Sequence, residues 1–421
     1  MLSRLDTKDF HQFIQESHVK AALKADKGSH AKLLYWSVEN LSQKGNHYGM
    51  LVTSVRVSYS AGEKAAETTY VVKMLPDTLP DIGKSLFNAL FRKEMGFYEH
   101  IAPVLNKVLV ANGLRALRFP VWYYNSLCNG RGLIFLENLC VRRFQLVDHM
   151  KGMELKHSTL SFEELGRLHA ASILLNEKMS LKQLTDKYEF LNYDFHRYPG
   201  PSEENFKKIY RGSLEAAAEF LHQQGGHAEA RKWLHRNKVA PAELMERNLT
   251  SEDQFAVICH GDFWTHNMLF RCNDEDEPVE LAMIDFQFSR FASVATDLNY
   301  LMFMSIRPEM RRANETLFLT CYYSSLSSVL KSVGKSVPFT FEQLLQEYKR
   351  RHEWVILFLL LPMTPIIEPP FDVATDDSVE GDPEVLNKYI KHKLAFTETL
   401  PIYKSKLLAF FEDMGERGLF P

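Results

Sequence analysis

The chain has 421 residues, which is enough for two domains with separate hydrophobic cores. Its composition is that of an ordinary globular protein, and a formal net charge of −3 gives no electrostatic reason to expect nucleic acid or an anionic membrane surface as a partner. Five widely spread cysteines lack metal-ligand spacing, so they indicate neither a disulfide framework nor a zinc site and are typical of a reducing compartment.

The N-terminal segment, residues 1–30, is predicted to be a helical extension, because its apolar residues recur near a 3.6-residue period. Its first ten residues carry four charges with no apolar region behind them, so no signal peptide is expected. The most apolar stretch, Trp354–Met363, is about half of the ~20 residues that a membrane span needs. We therefore expect a cytoplasmic protein without a membrane span.

Residues 31–139 are predicted to form a β-rich domain, with turn residues between short β-branched and aromatic runs. One helix, closed by Pro103, interrupts the strands. The predicted strands are 33–38, 51–59, 68–75, 121–124 and 133–136, and the helix is 85–105.

Residues 140–421 are predicted to be a mainly helical domain. Helices are expected at 162–178, 204–223, 226–236, 308–332, 341–362 and 384–414. Short apolar runs at 255–258, 268–270 and 281–284 predict strands in its middle. The fold class is therefore α+β, with two lobes and a cleft between them, and such clefts are favoured ligand sites.

The most informative segment, His260–Asn267, lies between two of these short strands. Asp262 and Asn267 have the D-x-x-x-x-N spacing of a kinase catalytic loop. A tight loop with this spacing presents a carboxylate to an acceptor hydroxyl and, one turn later, an amide oxygen to a metal ion. Asp285 follows the next apolar strand, and with Asn267 it provides the oxygen ligands that Mg²⁺ prefers.

A triphosphate also needs a cation, and Lys73 lies at the end of an apolar strand in the first domain. A lysine in such surroundings needs an anionic partner, for which Glu94 on the following helix is the natural candidate. Glu99 competes on the same helix, but it lies about 140° further round the axis, so both cannot face Lys73.

Each of these features is common when it occurs alone. A strand-end lysine is usually an edge residue, His260 is equally typical of a buried core histidine, and Asp285 of a turn. Their joint order across the predicted two-lobe boundary favours phosphoryl transfer over a purely structural reading.

The segments 260–269 (HGDFWTHNML) and 283–303 (MIDFQFSRFASVATDLNYLMF) closely resemble the insect ecdysteroid kinase-like family, also called CHK kinase-like. That family is related to choline kinases and aminoglycoside phosphotransferases. The resemblance extends from about Trp36 to the C-terminal helices. It includes 133–139 (LIFLENL), which resembles the family's hinge, and 165–170 (LGRLHA), which resembles its first C-lobe helix.

The resemblance implies a two-lobed protein-kinase-like fold and the cofactors ATP and Mg²⁺. In this interpretation Asp262 is the catalytic base, and Asn267 and Asp285 are the metal ligands. Asp297 and His169 match positions with a structural role, and the same role is favoured for His260.

The resemblance also implies that the β-rich domain, 31–139, binds the nucleotide and that 140–421 is a C-lobe with the catalytic loop, the metal site and the acceptor pocket. Lys73 would hold the ATP phosphates and pair with Glu94, and the backbone around Glu137, Asn138 and Leu139 would receive adenine. The loop from Gly45 to Gly49 would cap the phosphates with its backbone, although it is not a G-x-G-x-x-G motif.

For the acceptor, the resemblance implies a lipophilic alcohol, an ecdysteroid or a related steroid, as the small-molecule partner. Aromatic and apolar residues of the second half are candidates for a pocket wall, although a helix-bundle core explains most of them equally well. These candidates are Tyr300, Phe303, Tyr322, Trp354, Phe358, Met363 and Phe371. The acidic stretch 376–384 instead favours a cationic alcohol of the choline or aminoglycoside type.

Of two other functional classes, a non-catalytic binding protein stays open and a protein kinase is disfavoured. A non-catalytic nucleotide- or ligand-binding protein is the remaining alternative, but it would not require all five of the charged and amide residues assigned above. A protein kinase is disfavoured, because residues 288–300 run into a helix without an A-P-E-type anchor. The sequence carries no signal for the oligomeric state.

Overall fold

The computed structural model describes residues 13–39, 50–75, 81–128, 130–148, 152–192, 201–249, 251–359 and 401–420. An antiparallel five-stranded sheet forms most of the first third of the chain, and helices form most of the remainder. The expected α+β class, with a β-rich N-terminal region and a helical remainder, is confirmed.

The sheet has the strand order β1-β2-β3-β5-β4. Its strands are β1 Ala31–Glu39, β2 Leu51–Ala61, β3 Lys64–Leu75, β4 Trp122–Cys128 and β5 Arg131–Glu137. Helix α1, Glu16–Lys27, covers one face with Val19, Ala22 and Leu23, which pack in one apolar cluster with sheet residues. The cluster buries the apolar half of the α1 pattern that the sequence predicted.

The helix after β3 carries Glu94 and is longer than expected. It consists of α2 Asp81–Gly96, a π turn Phe97–Ile101 and α3 Ala102–Ala111. The sequence predicted that Pro103 closes the helix, but the chain continues through it. Proline lacks the N–H that an α-helix uses, and it is tolerated here because it lies at the start of α3, directly after the π turn.

The helical remainder is built around two long neighbouring helices, α4 and α10, which run in the same direction: Ser158 contacts Met310 near their starts, and His169 contacts Tyr322 further along. The rings of Phe162 and Phe318 stack between them, with centroids 5.2 Å apart. The helices are α4 Leu155–Asn176, α5 Leu181–Lys187, α6 Pro201–Gln224, α7 Ala228–Asn237, α8 Pro241–Leu249, α9 Val294–Ser305, α10 Pro308–Ser332, α11 Phe341–Arg350, α12 His352–Leu359 and α13 Pro401–Glu416.

Several helix boundaries differ from the prediction. α4 begins at Leu155, seven residues early, because its first turns bury Ser158 and Ser161, whose hydroxyls bond the carbonyl groups four residues before them. The predicted helix 341–362 is two helices broken near Arg351. α5 and α8 were not predicted. The predicted helix 384–414 lies outside the described residues up to residue 400.

Two small sheets lie within the helical region and hold the motif loops. β7 Ala256–Cys259 pairs with β10 Arg290–Ser293, and β6 Gln145–Leu146, β8 Met268–Cys272 and β9 Pro278–Met283 form a three-stranded sheet. β10 was not predicted, because four residues that include a buried arginine show no strand periodicity. Among the described helices, none combines the length and the hydropathy that crossing a bilayer requires.

Candidate active site

Strand pairing brings the two motif loops together. β7 and β10 pair antiparallel with Cys259 opposite Arg290, so the loop that leaves β7 lies beside the loop that enters β10. β8 and β9 form a hairpin with Met268 opposite Met283, and the N–H of Ile284 donates to the carbonyl of Asn267 at 3.1 Å. Asn267 and Asp285, 18 positions apart in the chain, are therefore neighbours in space.

The loop after β7 is held through its backbone by Asp297 of α9. The N–H groups of His260 and Gly261 donate to its two carboxylate oxygens at 2.7 and 2.9 Å. Burial alone would raise the pKa of Asp297, but the hydrogen bond from His169 and the nearby groups outweigh burial and lower it. The ionised carboxylate is thus a fixed anchor for the loop.

Asp262 is held through its side chain. The hydroxyl of Tyr300 donates to its Oδ1 at 2.6 Å, and Nδ2 of Asn267 donates to its Oδ2 at 2.8 Å. Burial raises the pKa of the Asp262 carboxyl to about 7, although both hydrogen bonds favour the ionised form. A carboxyl with a pKa in this range is suited to accept a proton near neutral pH.

Asp285 has a left-handed backbone conformation with a φ of 66°, which is costly for a residue with a Cβ. Its N–H donates to the hydroxyl of Tyr98 at 3.1 Å, and Tyr98 belongs to the π turn. The next residue, Phe286, stacks on Phe97 of the same turn with centroids 3.6 Å apart. The π turn thus offsets the strain and aims the Asp285 carboxylate.

Lys73 lies between two carboxylates. Its Nζ is 2.6 Å from Oε2 of Glu94 and 2.8 Å from Oδ1 of Asp285. Burial opposes the charge of the ammonium, but the two carboxylates raise the pKa of Lys73 above its usual value, so it stays protonated. Glu99, the competing candidate, instead accepts a hydrogen bond from Asn125 at 2.8 Å.

The predicted hinge follows β5 and is tied down by its side chains. Glu137 pairs with Arg118 at 2.6 Å, and Asn138 caps the short 3₁₀ helix Leu139–Arg142 through its Oδ1 and the N–H of Cys140 at 3.1 Å. Leu139 is buried against the segment around β9. Its backbone is held as well, because the N–H of Glu137 donates to the carbonyl of Val121 at 2.8 Å and the carbonyl of Leu139 accepts from the N–H of Phe144 at 3.2 Å.

The two histidines that the sequence singled out are buried. His260 lies within hydrogen-bond distance of the Ile284 carbonyl through Nε2, at 3.0 Å, and its ring lies against Phe286. Since a carbonyl only accepts, Nε2 carries the proton, and burial lowers the pKa of this imidazole. His169 bridges Tyr322 and Asp297. Both histidines therefore link elements behind the loops.

Some predicted residues lie outside the described part of the chain. These are Gly45 and Gly49 of the phosphate loop, Met363 and Phe371 of the predicted pocket wall, and the acidic stretch 376–384; the side chain of Phe358 is likewise not described. Phe303, Tyr322 and Trp354 are buried in the large hydrophobic core and act there as packing residues. Of the described candidates, Tyr300 contacts Asp262.

Three residues have contacts at the site that the sequence did not predict: Tyr98 and Arg118 were given no role, and Tyr300 was named only as a candidate for the pocket wall. Tyr98 and Tyr300 hold the two motif aspartates, and Arg118 connects the hinge to β9: its side chain binds Glu137, and its carbonyl accepts from the N–H of Met283 at 3.0 Å. One signal was available for Tyr300, because it lies three residues after Asp297 on a predicted helix and so shares its face.

The donor set fits Mg²⁺ and a polyphosphate. Nδ2 of Asn267 is committed to Asp262, so its Oδ1 is the atom that would ligate, together with the carboxylate of Asp285. Two oxygen ligands from the protein, with phosphate and water completing the shell, are typical of Mg²⁺. A protonated lysine beside them supplies the additional positive charge that phosphate oxygens need.

Comparison with known protein families matches residues 44–335 to the ecdysteroid kinase-like family. An uncharacterized kinase-like protein of Caenorhabditis elegans is 27% identical over 211 residues, and the match covers 50% of each chain. The chain thus spans about half the length of that relative.

Two solved structures are similar over most of the chain. An ethanolamine kinase of Plasmodium vivax has a TM-score of 0.41 at 13% identity, with 85% of this chain and 83% of that chain covered. A choline kinase of Streptococcus pneumoniae has a TM-score of 0.33 at 15% identity, with coverage of 90% and 98%.

Proposed function

The chain belongs to the ecdysteroid kinase-like family, and from that premise we propose that it is an ATP- and Mg²⁺-dependent phosphotransferase. Its acceptor is a hydroxyl of a lipophilic small molecule, an ecdysteroid or a related steroid. The nucleotide binds between residues 31–139 and 140–421, and the reaction takes place in the cytoplasm, in keeping with five free cysteine thiols.

One observation carries the proposal: a protonated lysine, an oxygen-ligand pair and a poised carboxyl converge from distant parts of the chain. Lys73 from the sheet contacts Asp285 from the helical region, and Asp285 lies close enough to Asp262 for its charge to raise the pKa of that carboxyl. An ion pair that only stabilised the fold would not need a carboxyl with a raised pKa beside it, and the presence of Asp262 therefore supports a catalytic role.

In the proposed reaction, Lys73 binds phosphate oxygens of the nucleotide, and Glu94 keeps the ammonium in place. Asn267 and Asp285 would hold Mg²⁺, which would neutralise charge on the phosphate oxygens. The Asp262 carboxylate accepts a hydrogen bond from the acceptor hydroxyl and orients its oxygen toward the γ-phosphorus. It takes the hydroxyl proton as the new P–O bond forms and the bond from the γ-phosphorus to the β–γ bridging oxygen breaks, so that ADP leaves. The backbone of Glu137 to Leu139 holds adenine, and the loop from Gly45 to Gly49 covers the phosphates.

The steroid class of acceptor rests on family membership. The other acceptors that the sequence left open, choline-like and aminoglycoside alcohols, are outcomes of the test. The test is a turnover screen of the purified protein with γ-labelled ATP and Mg²⁺ against ecdysteroids, other sterols, choline, ethanolamine and an aminoglycoside. Label on a steroid supports the proposal, and label only on a cationic alcohol overturns its acceptor class.

The matched blank in this screen is Asp262→Asn, which keeps the shape of the side chain and removes its basicity. We expect this variant to bind ATP with unchanged affinity and to lose about 10²- to 10⁴-fold in kcat, the usual contribution of a general base. Equal turnover in the variant would remove Asp262 from the role of base. Absence of transfer to every acceptor, with ATP bound, would favour the non-catalytic binding role.

A further inference from the structure

We propose that Tyr300 is a positioning residue for phosphoryl transfer, which locks the rotation of the Asp262 carboxylate so that one oxygen stays aimed at the acceptor hydroxyl. This inference rests on the proposed function. It extends that function, because the general base is then a unit of two side chains, one from the motif loop and one from α9.

The hydrogen bonds at Asp262 carry the first step. A terminal carboxylate torsion is broad and has no deep staggered wells, so a single hydrogen bond leaves the plane of the group free to swing. Here Asn267 donates to Oδ2 and Tyr300 donates to Oδ1, at 2.8 and 2.6 Å. Two donors on opposite oxygens define the plane.

The roles of the two donors differ. Asn267 is also a ligand of Mg²⁺ in the proposed function, so its amide plane follows the metal and the phosphates. Tyr300 lies on the buried helix α9 and is 3% exposed, so we expect its hydroxyl to keep the same position with and without bound nucleotide. Tyr300 is thus the fixed reference against which the carboxylate is held.

The third step is that α9 holds the whole loop and not only Asp262. Asp297, one turn before Tyr300, accepts the N–H groups of His260 and Gly261, and Ser305 accepts the N–H of Thr265 at 3.0 Å. Loop and helix therefore cannot slide past each other. The short distance between Tyr300 and Asp262 is set by the backbone, and it is the only one of these contacts on α9 that reaches the base itself.

The test is Tyr300→Phe, which removes the hydroxyl and leaves the buried ring. We expect kcat to fall about 10- to 100-fold, the range that a small displacement of a reacting group costs. The KM for ATP, the ATP dissociation constant and the number of ATP sites per chain should stay within twofold of the unmutated protein. A structural role would instead lower the number of ATP sites and leave kcat per site unchanged.

Tyr348→Phe is the matched control. Tyr348 is another buried helical tyrosine, 1% exposed, whose hydroxyl donates to Glu315 at 2.8 Å away from the site. The same loss of one buried hydrogen bond should lower the melting temperature and leave kcat unchanged. If both variants lose kcat equally, Tyr300 has no special relation to Asp262 and the inference is wrong.

A double variant asks whether Tyr300 acts through Asp262. In the Asp262→Asn background, Tyr300→Phe should reduce the residual turnover less than threefold, because the carboxylate it positions is already absent. A further loss of tenfold or more would mean that Tyr300 acts elsewhere. Unchanged kcat in the single Tyr300→Phe variant would also overturn the inference, while the proposed function would stand.

Crystal structures can test the positioning role of Tyr300 separately from the proposed phosphotransferase function, because they need no measurement of turnover. If the unmutated protein transfers phosphate to no acceptor, the proposed function fails, and crystal structures of the protein and of Tyr300→Phe decide the positioning role. We expect the Asp262 carboxylate to rotate or to occupy two conformers in the variant. A single conformer in its original plane would contradict the role of Tyr300.

Discussion

Asp285 has a strained backbone and a charged contact with Lys73, and both fix the position of its carboxylate. Its φ of 66° costs on the order of 1–3 kcal/mol, which the Tyr98 hydrogen bond and the stacked ring of Phe286 offset. The left-handed conformation turns the chain directly after β9, and its carboxylate meets Lys73. Strain of this kind is typical of functional positions, which supports the proposed role of Asp285.

We expect Asp285→Ala to weaken Mg²⁺-dependent ATP binding, because it removes the carboxylate ligand and a partner of Lys73. The affinity for ATP measured by calorimetry should fall at least tenfold with Mg²⁺ present and much less in its absence. Asp274→Ala, which removes an exposed carboxylate from the β8–β9 loop, is the control and should bind like the unmutated protein. Equal Mg²⁺-dependent affinities in both variants would remove Asp285 from the metal site.

Gly261 makes the loop after β7 possible. Its φ is +82°, and a Cβ on it would overlap the backbone carbonyl of Phe288 in the neighbouring motif loop. Only a residue without a side chain lets the two loops approach this closely.

We therefore expect Gly261→Ala to lower the melting temperature strongly and to abolish turnover, because the two loops must separate. The matched control is Gly62→Ala: its φ of +67° imposes a similar conformational cost of about 1–2 kcal/mol, but a Cβ there meets nothing within 4 Å. The difference between the two melting temperatures measures the steric overlap. If both alanine variants melt together, the close approach of the loops is not what requires Gly261.

At the scale of elements, α9 organises the site although none of the proposed nucleotide contacts comes from it. The helix is buried almost throughout, and Asp297, Tyr300 and Ser305 contact the loop after β7. Asp297 is the strongest of these anchors, since it accepts two backbone N–H groups and contacts His169.

Asp297→Asn should destabilise the protein by about 2–4 kcal/mol, because an amide offers one acceptor oxygen and leaves a buried N–H group unpaired. Chemical denaturation measures this free energy of unfolding. Asp186→Asn, the same change at an exposed helical position, should change the free energy of unfolding by less than about 0.5 kcal/mol. A small loss for Asp297→Asn would mean that the loop is held by other contacts.

The π turn is the second element with a role at the site. An ordinary α-helical turn at Phe97–Ile101 would rotate the following residues by about 100° relative to Glu94. The π turn instead presents Tyr98 to the backbone of Asp285 while Glu94, one turn earlier, presents its carboxylate to Lys73. One helix thus supports both ends of the lysine–aspartate contact.

At the scale of the whole molecule, the sheet and the helical region meet at Lys73, Glu94 and Asp285. Lys73 and Glu94 are buried, so removing one partner leaves an uncompensated charge. The contact therefore couples correct docking of the two regions to completion of the proposed nucleotide site.

A buried histidine makes the stability of the whole protein depend on pH. His352 is 3% exposed, with Tyr348 and Phe303 around its ring, and burial, Arg417 and Lys349 lower its pKa to about 3. The unfolded chain takes up a proton below pH 6.5 and the folded protein does not, so the stability contributed by this group is lost as the pH falls from about 6.5 toward 3.

Between pH 7 and pH 5 we expect this group to reduce the free energy of unfolding by about 2 kcal/mol. His352→Phe should therefore lose less stability over this interval than the unmutated protein, measured by urea denaturation at both pH values. His235→Phe, at an exposed site, should keep the original pH dependence. An identical pH dependence in all three proteins would show that His352 is not the group responsible.

Much of the fold followed from local patterns in the sequence. The long helix α10 was predicted at 308–332 and spans Pro308–Ser332, and strands β7, β8 and β9 were predicted within a few residues, whereas β10 was missed. The wrong helix boundaries have local causes as well. The first turns of α4 contain buried serines, which hid its start from the apolar pattern, and the π turn allows the helix to continue beyond Pro103. Apolar periodicity detects the buried face of a regular helix. It does not detect a buried serine whose hydroxyl bonds a carbonyl of its own helix, and it does not allow for the extra residue of a π turn.

The sequence by itself determined which residues are candidates for the proposed chemistry, because the spacing of Asp262 and Asn267 and the placement of Lys73 and Asp285 near strand ends can be seen in the local pattern. Only the tertiary structure decided what holds them. Tyr300 is 38 positions from Asp262, and Tyr98 is 187 positions from Asp285. Contacts at such separations depend on how whole elements pack, and a local pattern carries no record of that packing.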